Sequence, residues 1–136
     1  MLDHTDLLIL EELRKNSRIT MKELGEKVHL TGQAAAARVA KLEDNGVIKE
    51  YTIHADCSKL GLGIHAFINI MMESADHRPY ISFIHMQNPY VINNYRISGE
   101  SCYLLECRFP SNEVLTQFLD SLHRYANYKL SIVITK

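Results

Sequence analysis

The sequence predicts an α+β protein in two parts, and two patterns support this. Residues 1–45 contain three short stretches in which apolar residues recur at helical spacing, each after a residue suited to an N-cap. From residue 63 onward, β-branched and aromatic runs alternate with amphipathic helical stretches in the order β-α-β-β-α-β. That order is the ferredoxin-like split βαβ unit, in which two helices cover one face of a four-stranded antiparallel sheet.

Two short helices open the chain. DHTDLLILEELRKN begins with Asp3 as an N-cap and Asp6 in the first turn, where a negative charge suits the helix dipole. TMKELGEKV begins with a Thr-x-x-Glu capping box of Thr20 and Glu23. The apolar residues expected to face the core are Ile9, Leu10, Leu13, Leu24 and Val28.

The third helix is predicted to start at the N-cap Thr31 and to stop at Asn45-Gly46. Its inner face is expected to carry Ala35, Val39 and Leu42, whereas four consecutive alanines leave the outer face almost without bulk. A helix that enters a DNA major groove, about 12 Å wide, needs such a slim face to approach the bases. With the preceding helix it therefore fits a helix-turn-helix whose recognition helix covers about residues 31–44. The alternative is a plain three-helix bundle whose alanines serve helix propensity.

Polar and basic residues of this helix are the candidates for DNA contact. Gln33 is expected to pair with a base edge, and Arg38 and Lys41 to reach phosphates or a guanine. Residues 14–49 carry eight basic and four acidic side chains, although the chain's net charge is −1. The alternative explanation for this excess of basic side chains is an ordinary solvated surface of mixed charge. The predicted DNA-binding residues are Thr31, Gly32, Gln33, Ala34, Ala37, Arg38 and Lys41.

A strand and a hinge are predicted after the helices. The strand is VIKEYTIHA at residues 47–55, and the hinge lies at residues 57–63 and contains SKLGLG. We therefore place a helix-turn-helix domain at 1–51, a linker strand and hinge at 52–62, and a second domain at 63–136.

Six elements are predicted in the second domain. GIHAFINIMM is a strand, and ADHRPYISFIHMQ is a helix with Pro79 in its first turn that ends at Asn88-Pro89. YVINNYRI and SCYLLECRF are strands joined by a hairpin at residues 98–100. SNEVLTQFLDSLHRYA is an amphipathic helix, and KLSIVIT is the last strand.

The sheet of this domain has a second face that its two helices leave uncovered. Phe67 and Met71 of the first strand, and Leu104 of the third, fall on that face. Apolar residues there predict sheet-to-sheet packing with a second copy, and hence a homodimer. Scattered exposed apolar residues, which are common on protein surfaces, are the alternative.

The cysteines and the hydropathy pattern give the expected compartment. Cys57, Cys102 and Cys107 show no paired metal spacing, so we expect reduced thiols, a cytoplasmic location and no metal or cofactor. No apolar run of the sequence is long enough to span a bilayer, and MLDHTDLLIL lacks the basic region of a signal peptide. No membrane partner is therefore expected.

Several motifs together carry a family resemblance over almost the whole chain. The N-terminal ones are L-D-x-x-D-x-x-I-L-x-x-L at 2–13, N-S-R at 16–18, E-L-G at 23–25, L-T-x-x-x-A-x-x-R-V at 30–39, L-E at 42–43, G-V-I at 46–48 and Tyr51. The C-terminal ones are K-L-G at 59–61 and R-I-S-G-E-S-C-Y-L-L at 96–105. With these motifs the chain resembles the Lrp/AsnC family, the leucine-responsive and feast/famine regulators of bacteria and archaea.

The resemblance implies a winged-helix-type DNA reader followed by an effector-sensing RAM domain. It implies double-stranded DNA as a partner and dimers joined through the sheets, with tetramers or octamers as larger assemblies. It also implies that a small molecule, usually an amino acid, binds between dimers near Gly99, Glu100, Ser101, Cys102 and Tyr103.

The chain departs from the family pattern in three places. His29 stands where the turn between the two helices usually has Gly, which predicts a strained or altered turn. Cys102 stands where an Asp usually precedes the aromatic residue, and a thiol cannot hold an amino group by charge. An effector-independent regulator is therefore an alternative. The sequence also ends soon after the last strand, which is expected to limit larger assemblies.

We expect a transcriptional regulator and not an enzyme. Two other classes of function remain as alternatives. Some relatives of the family are haem-precursor decarboxylases that use histidines, so a tetrapyrrole-handling enzyme on the same fold is one. The seven histidines, His65, His77 and His85 among them, form no close ligand pattern with carboxylates or thiols, which favours solvated or core roles. The other alternative is an adaptor that binds protein through its helical domain.

Overall fold

The fold, seen in a computed structural model, is described for residues 1–86 and 89–136. It divides into two compact units, Met1–His54 and Ala55–Lys136. Asn88, which belongs to the predicted Asn88-Pro89 helix break, and Gln87, the predicted last residue of that helix, lie outside the described residues.

Three helices form the N-terminal unit: α1 (His4–Lys15), α2 (Met21–Val28) and α3 (Gly32–Asp44). Each begins at its predicted cap, because a side-chain oxygen of Asp3, Thr20 or Thr31 accepts a hydrogen bond from the backbone N–H three residues later. The core of the unit is buried as expected, apart from the half-buried Leu10, and consists of Ile9, Leu13, Ile19, Leu24, Val28, Ala35, Val39 and Leu42. The three predicted helices are therefore confirmed.

The turn between α2 and α3 is tight. A Cβ on Gly25 would lie 2.5 Å from the carbonyl oxygen of Leu30, so only glycine fits there. His29 adopts the left-handed conformation, with φ 60° and ψ 43°. It is the one non-glycine residue with positive φ in the described part of the chain. An L-residue in this conformation costs about 1–2 kcal/mol, which confirms the strained turn expected at this position.

The strand predicted at residues 47–55 is wrong, because this segment forms no strand. Its apolar residues stay open to solvent: Tyr51 is 50% exposed and Ile53 is 83% exposed. A strand is held by ladder hydrogen bonds to a neighbouring strand, and the described N-terminal unit offers none.

The C-terminal unit has the predicted element order: β1 (Ile64–Met71), α4 (Arg78–Met86), β2 (Val91–Arg96), β3 (Tyr103–Phe109), α5 (Asn112–Leu122) and β4 (Asn127–Ile132). The strand order across the sheet is β2-β3-β1-β4, and all three neighbouring pairs are antiparallel. This is the ferredoxin-like topology, which confirms the predicted fold class.

One face of this sheet forms the core with α4 and α5. Ala66, Ile68 and Ile70 of β1 are fully buried against helix residues such as Tyr80 and Phe118. The opposite face keeps Phe67, Met71 and Leu104 only partly buried. No helix in the described residues is long and apolar enough to cross a membrane.

Candidate nucleic-acid interface

The exposed face of α3 is a narrow stripe with little bulk. Gln33, Ala37 and Lys41, spaced four residues apart, are exposed and succeed one another along the helix. Ala40 and Asp44 are also exposed on this side, although the sequence did not single them out. The middle of the stripe therefore carries only methyl groups at Ala37 and Ala40.

The other predicted DNA-binding residues lie at the start or on the flank of this stripe. Thr31 is exposed and caps α3, its Oγ1 accepting from the backbone N–H of Ala34 at 3.1 Å. Gly32 is half-buried, and a Cβ there would lie 3.4 Å from the Cα of Lys22 in α2. Ala34 is half-buried as well. The N-terminal end of α3 is thus fixed against α2.

Arg38 lies on the flank of α3 and is bonded to the start of α1. Its Nη1 donates to both carboxylate oxygens of Asp3, at 2.7 and 2.6 Å, and to Oδ1 of Asp6 at 3.2 Å. This arrangement lowers the pKa of the Asp3 carboxyl to about 2, chiefly through the hydrogen bond from Arg38. It raises the pKa of Arg38 for the same reason. The sequence did not reveal this bond because its partners lie more than 30 residues apart.

The basic residues of the N-terminal unit do not all lie on α3. Arg14, Lys15, Arg18 and Lys49 line a separate cleft of about 750 Å³. Lys15 is also within 3.5 Å of Glu11 and 3.4 Å of Glu12, so its charge is partly balanced. The local excess of positive charge is therefore spread over more than one surface.

The predicted effector loop joins β2 to β3. Gly99 has φ 109°, a conformation that favours glycine, and the N–H of Cys102 donates to the carbonyl of Ile70 at 2.7 Å. The loop ends at Tyr103, which is 6% exposed. Its backbone is therefore tied to β1 at Cys102.

Two residues that the sequence did not indicate meet the hydroxyl of Tyr103. Arg96 donates from Nη1 to this oxygen at 3.1 Å, and its guanidinium carbon lies 5.1 Å from the centre of the Tyr103 ring. Nδ1 of His77 lies 3.0 Å from the hydroxyl and 3.0 Å from Arg96 Nη1. The described residues contain no group of His, Cys, Asp and Glu side chains that could hold a metal ion.

Comparison with known proteins gives a family match for each part of the chain. Residues 2–49 match the family described as winged helix-turn-helix DNA-binding. Residues 65–136 match the family described as the Lrp/AsnC ligand binding domain.

Individual relatives agree with both matches. The chain is 62% identical to the HTH-type transcriptional regulator LrpA of Bacillus subtilis, over 100% of both chains. It is 43% identical to LrpB of the same organism, over 98% of this chain and 89% of the relative. These relatives are transcriptional regulators, and they give no support to the alternative of a tetrapyrrole-handling enzyme.

Solved structures show the same architecture. B. subtilis LrpC superimposes with a TM-score of 0.93 at 35% identity and covers 100% of this chain and 96% of its own. A transcriptional regulator from Neisseria meningitidis, in complex with L-Met, superimposes with a TM-score of 0.92 at 29% identity, covering 100% of this chain and 92% of its own.

Proposed function

The chain belongs to the Lrp/AsnC family of DNA-binding transcriptional regulators, and we propose that it reads double-stranded DNA with the exposed stripe of α3. The observation that carries this proposal is the shape of the stripe. Methyl groups at Ala37 and Ala40 lie between Gln33 at one end and Lys41 and Asp44 toward the other. Such a helix fits a major groove about 12 Å wide with its backbone close to the base edges.

The residues of the interface have different roles. Gln33 reaches a base edge and supplies sequence preference, since a glutamine amide both donates and accepts. Lys41 reaches a phosphate, where its charge supplies affinity without sequence preference. The backbone of α3 comes close to the DNA at the small or short side chains of Thr31, Gly32, Ala34 and Ala37.

Gln33→Ala tests this assignment. We expect the wild-type chain to select a preferred duplex from random sequences, and Gln33→Ala to reduce the preference for it over a random duplex about tenfold. Gln117→Ala is the matched control, because Gln117 is exposed on α5 in the C-terminal unit. If the two variants kept the same preference, Gln33 would not be a reading residue.

We propose that a homodimer presents two copies of α3 to the DNA. The face of the sheet opposite α4 and α5 supports this, because Phe67, Met71 and Leu104 remain partly exposed there. Two copies packed through this face can place two α3 helices about 34 Å apart, or a multiple of it, on one side of the duplex. Tetramers or octamers are the further assemblies we propose for the chain.

The dimer is tested by a charge on the uncovered face. Phe67→Glu places a carboxylate at the centre of the proposed interface, and we expect sedimentation equilibrium to show a monomer. Leu60→Glu is the control, since Leu60 lies in a turn and is 63% exposed. A wild-type chain that sediments as a monomer at micromolar concentration would contradict the proposal.

We further propose that an amino-acid effector binds at Gly99, Glu100, Ser101, Cys102 and Tyr103. The match to a ligand binding domain and the L-Met complex of the Neisseria relative support this. Arg96 offers donors to the effector's carboxylate beside Tyr103, and Glu100 offers a carboxylate to its ammonium group. In this arrangement the carboxylate of Glu100 supplies the negative charge that the thiol of Cys102 lacks.

Calorimetric titration with single amino acids tests the effector site. We expect Arg96→Gln to weaken the binding of whichever amino acid binds the wild-type chain. Arg124→Gln, another exposed arginine of the C-terminal unit, should leave it unchanged. Equal affinity in both variants would exclude Arg96 from the site.

A further inference from the structure

Arg38 makes an unusual set of contacts for a residue expected to bind DNA. A single nitrogen, Nη1, makes three contacts of 3.2 Å or less with two carboxylates, those of Asp6 in α1 and of its N-cap Asp3. The side chain is 35% exposed, and Asp6 is only 17% exposed. Two negative charges therefore lie next to the guanidinium of Arg38, the group that the sequence predicts to contact a phosphate or a guanine.

The two acidic residues are themselves locked together at the start of α1. Oδ1 of Asp3 accepts from the backbone N–H of Asp6 at 2.8 Å, and Oδ2 of Asp6 accepts from the backbone N–H of Asp3 at 3.1 Å. This reciprocal pair is a capping box, so both carboxylates are held in place independently of Arg38. Arg38 thus joins the middle of α3 to the capping box at the start of α1.

The core contacts of α3 come from three buried side chains on one face, Ala35, Val39 and Leu42. Arg38 lies on the flank of that face. Its bond to Asp3 and Asp6 adds a polar connection to the start of α1, which helps to fix the rotation of α3 about its own axis. That rotation decides whether Gln33, Ala37 and Lys41 point toward the groove.

We propose that Arg38 is a positioning residue, which sets the rotation of α3 for DNA through its bond to the Asp3–Asp6 capping box, and not a phosphate contact. The inference rests on the proposed function of α3 in reading DNA. In this role of Arg38, Asp3 and Asp6 contribute to the sequence preference of the protein for DNA without contacting DNA themselves.

The salt dependence of DNA affinity separates positioning from phosphate contact. Each phosphate contact contributes about one unit to the slope of log affinity against log salt concentration. We expect Lys41→Gln to lower that slope by about one unit per subunit, and Lys59→Gln, in a turn of the C-terminal unit, to leave it unchanged. Arg38→Gln should keep the wild-type slope and still bind the duplex selected by the wild-type chain about tenfold more weakly.

Removal of the acidic partners gives opposite predictions under the two roles. Asp3→Asn with Asp6→Asn keeps side chains that can cap α1 but takes away both charges that hold Arg38. If Arg38 positions α3, this double variant loses about tenfold in preference for the selected duplex over a random one, as Arg38→Gln does. If Arg38 is a phosphate contact restrained by the acids, the double variant binds both duplexes more tightly than wild type and with a steeper slope.

Thermal melts confirm that each variant is folded at the assay temperature, so that lost preference is not lost structure. A slope that falls by one unit per subunit in Arg38→Gln, as in Lys41→Gln, would overturn the positioning role alone. A wild-type chain that binds neither duplex at low salt would overturn the proposed function, and the positioning role with it.

Discussion

Gly25→Ala is the most informative test of the helix-turn-helix geometry. In an ordinary helix interior, alanine is more favourable than glycine by about 1 kcal/mol. At this position the added Cβ would lie 2.5 Å from the Leu30 oxygen and 3.0 Å from the carbonyl carbon and oxygen of Thr31. These are backbone atoms at the start of α3, so they cannot move away as a flexible side chain would.

The expected net effect follows from two opposing contributions. Overpacking typically costs about 1–3 kcal/mol, and here it strains the turn closed by the Leu30 N–H to Gly25 carbonyl hydrogen bond of 2.8 Å. We expect the strain to exceed the propensity gain and to lower the stability of the N-terminal unit by about 1–2 kcal/mol. DNA affinity should fall too, since α3 must shift relative to α2.

Urea denaturation followed by circular dichroism measures this loss, and peptide-resolved hydrogen exchange assigns it to α2 and α3. Gly32→Ala is the matched control, because its Cβ would lie 3.4 Å from the Cα of Lys22, an ordinary contact. We expect it to be nearly neutral. A Gly25→Ala chain as stable as wild type, or more stable, would refute the close approach of α2 to the turn.

Three further predictions follow from local geometry. His29→Gly should relieve the left-handed strain and raise the free energy of unfolding by about 0.5–1 kcal/mol after the entropy of glycine is counted, which raises the urea midpoint; a lower midpoint would contradict it. Because the pKa of Asp3 is held at about 2 in the fold, against about 3.9 for an unfolded aspartate, its contribution to stability is complete above about pH 4 and is lost as the pH falls toward 2. Asp3→Asn should therefore flatten the dependence of melting temperature on pH in that window, and an unchanged profile would count against the bond to Arg38. Cys107 is fully buried and burial raises its pKa to about 12, so mass spectrometry should find iodoacetamide on Cys57 and Cys102 in the folded chain and on Cys107 only in urea.

The sequence revealed those features that depend on neighbours a few residues apart. The caps at Asp3, Thr20 and Thr31 each join residues three positions apart, so the sequence spacing alone locates them. Alternation along β1 and β3 likewise showed which side chains face the helices, because successive residues of a strand point to opposite faces.

Features that depend on tertiary packing escaped the sequence. The bond of Arg38 to Asp3 and Asp6 appears only once α1 and α3 pack together. Residue 25 must be glycine because a Cβ there would lie 2.5 Å from the carbonyl oxygen of Leu30. The β-branched and partly alternating residues of 47–55 predict a strand, yet a strand also needs a neighbour.

The proposed entry of the slim face of α3 into the groove is tested most directly by adding bulk to that face. Ala37 is exposed, so Ala37→Phe should leave the fold intact while its ring keeps the helix out of the groove. We predict that duplex affinity, measured by fluorescence anisotropy at fixed salt, falls by at least about tenfold for Ala37→Phe. It should stay at the wild-type value for Thr116→Phe, an exposed position on α5. Equal affinities for the two variants would contradict the claim.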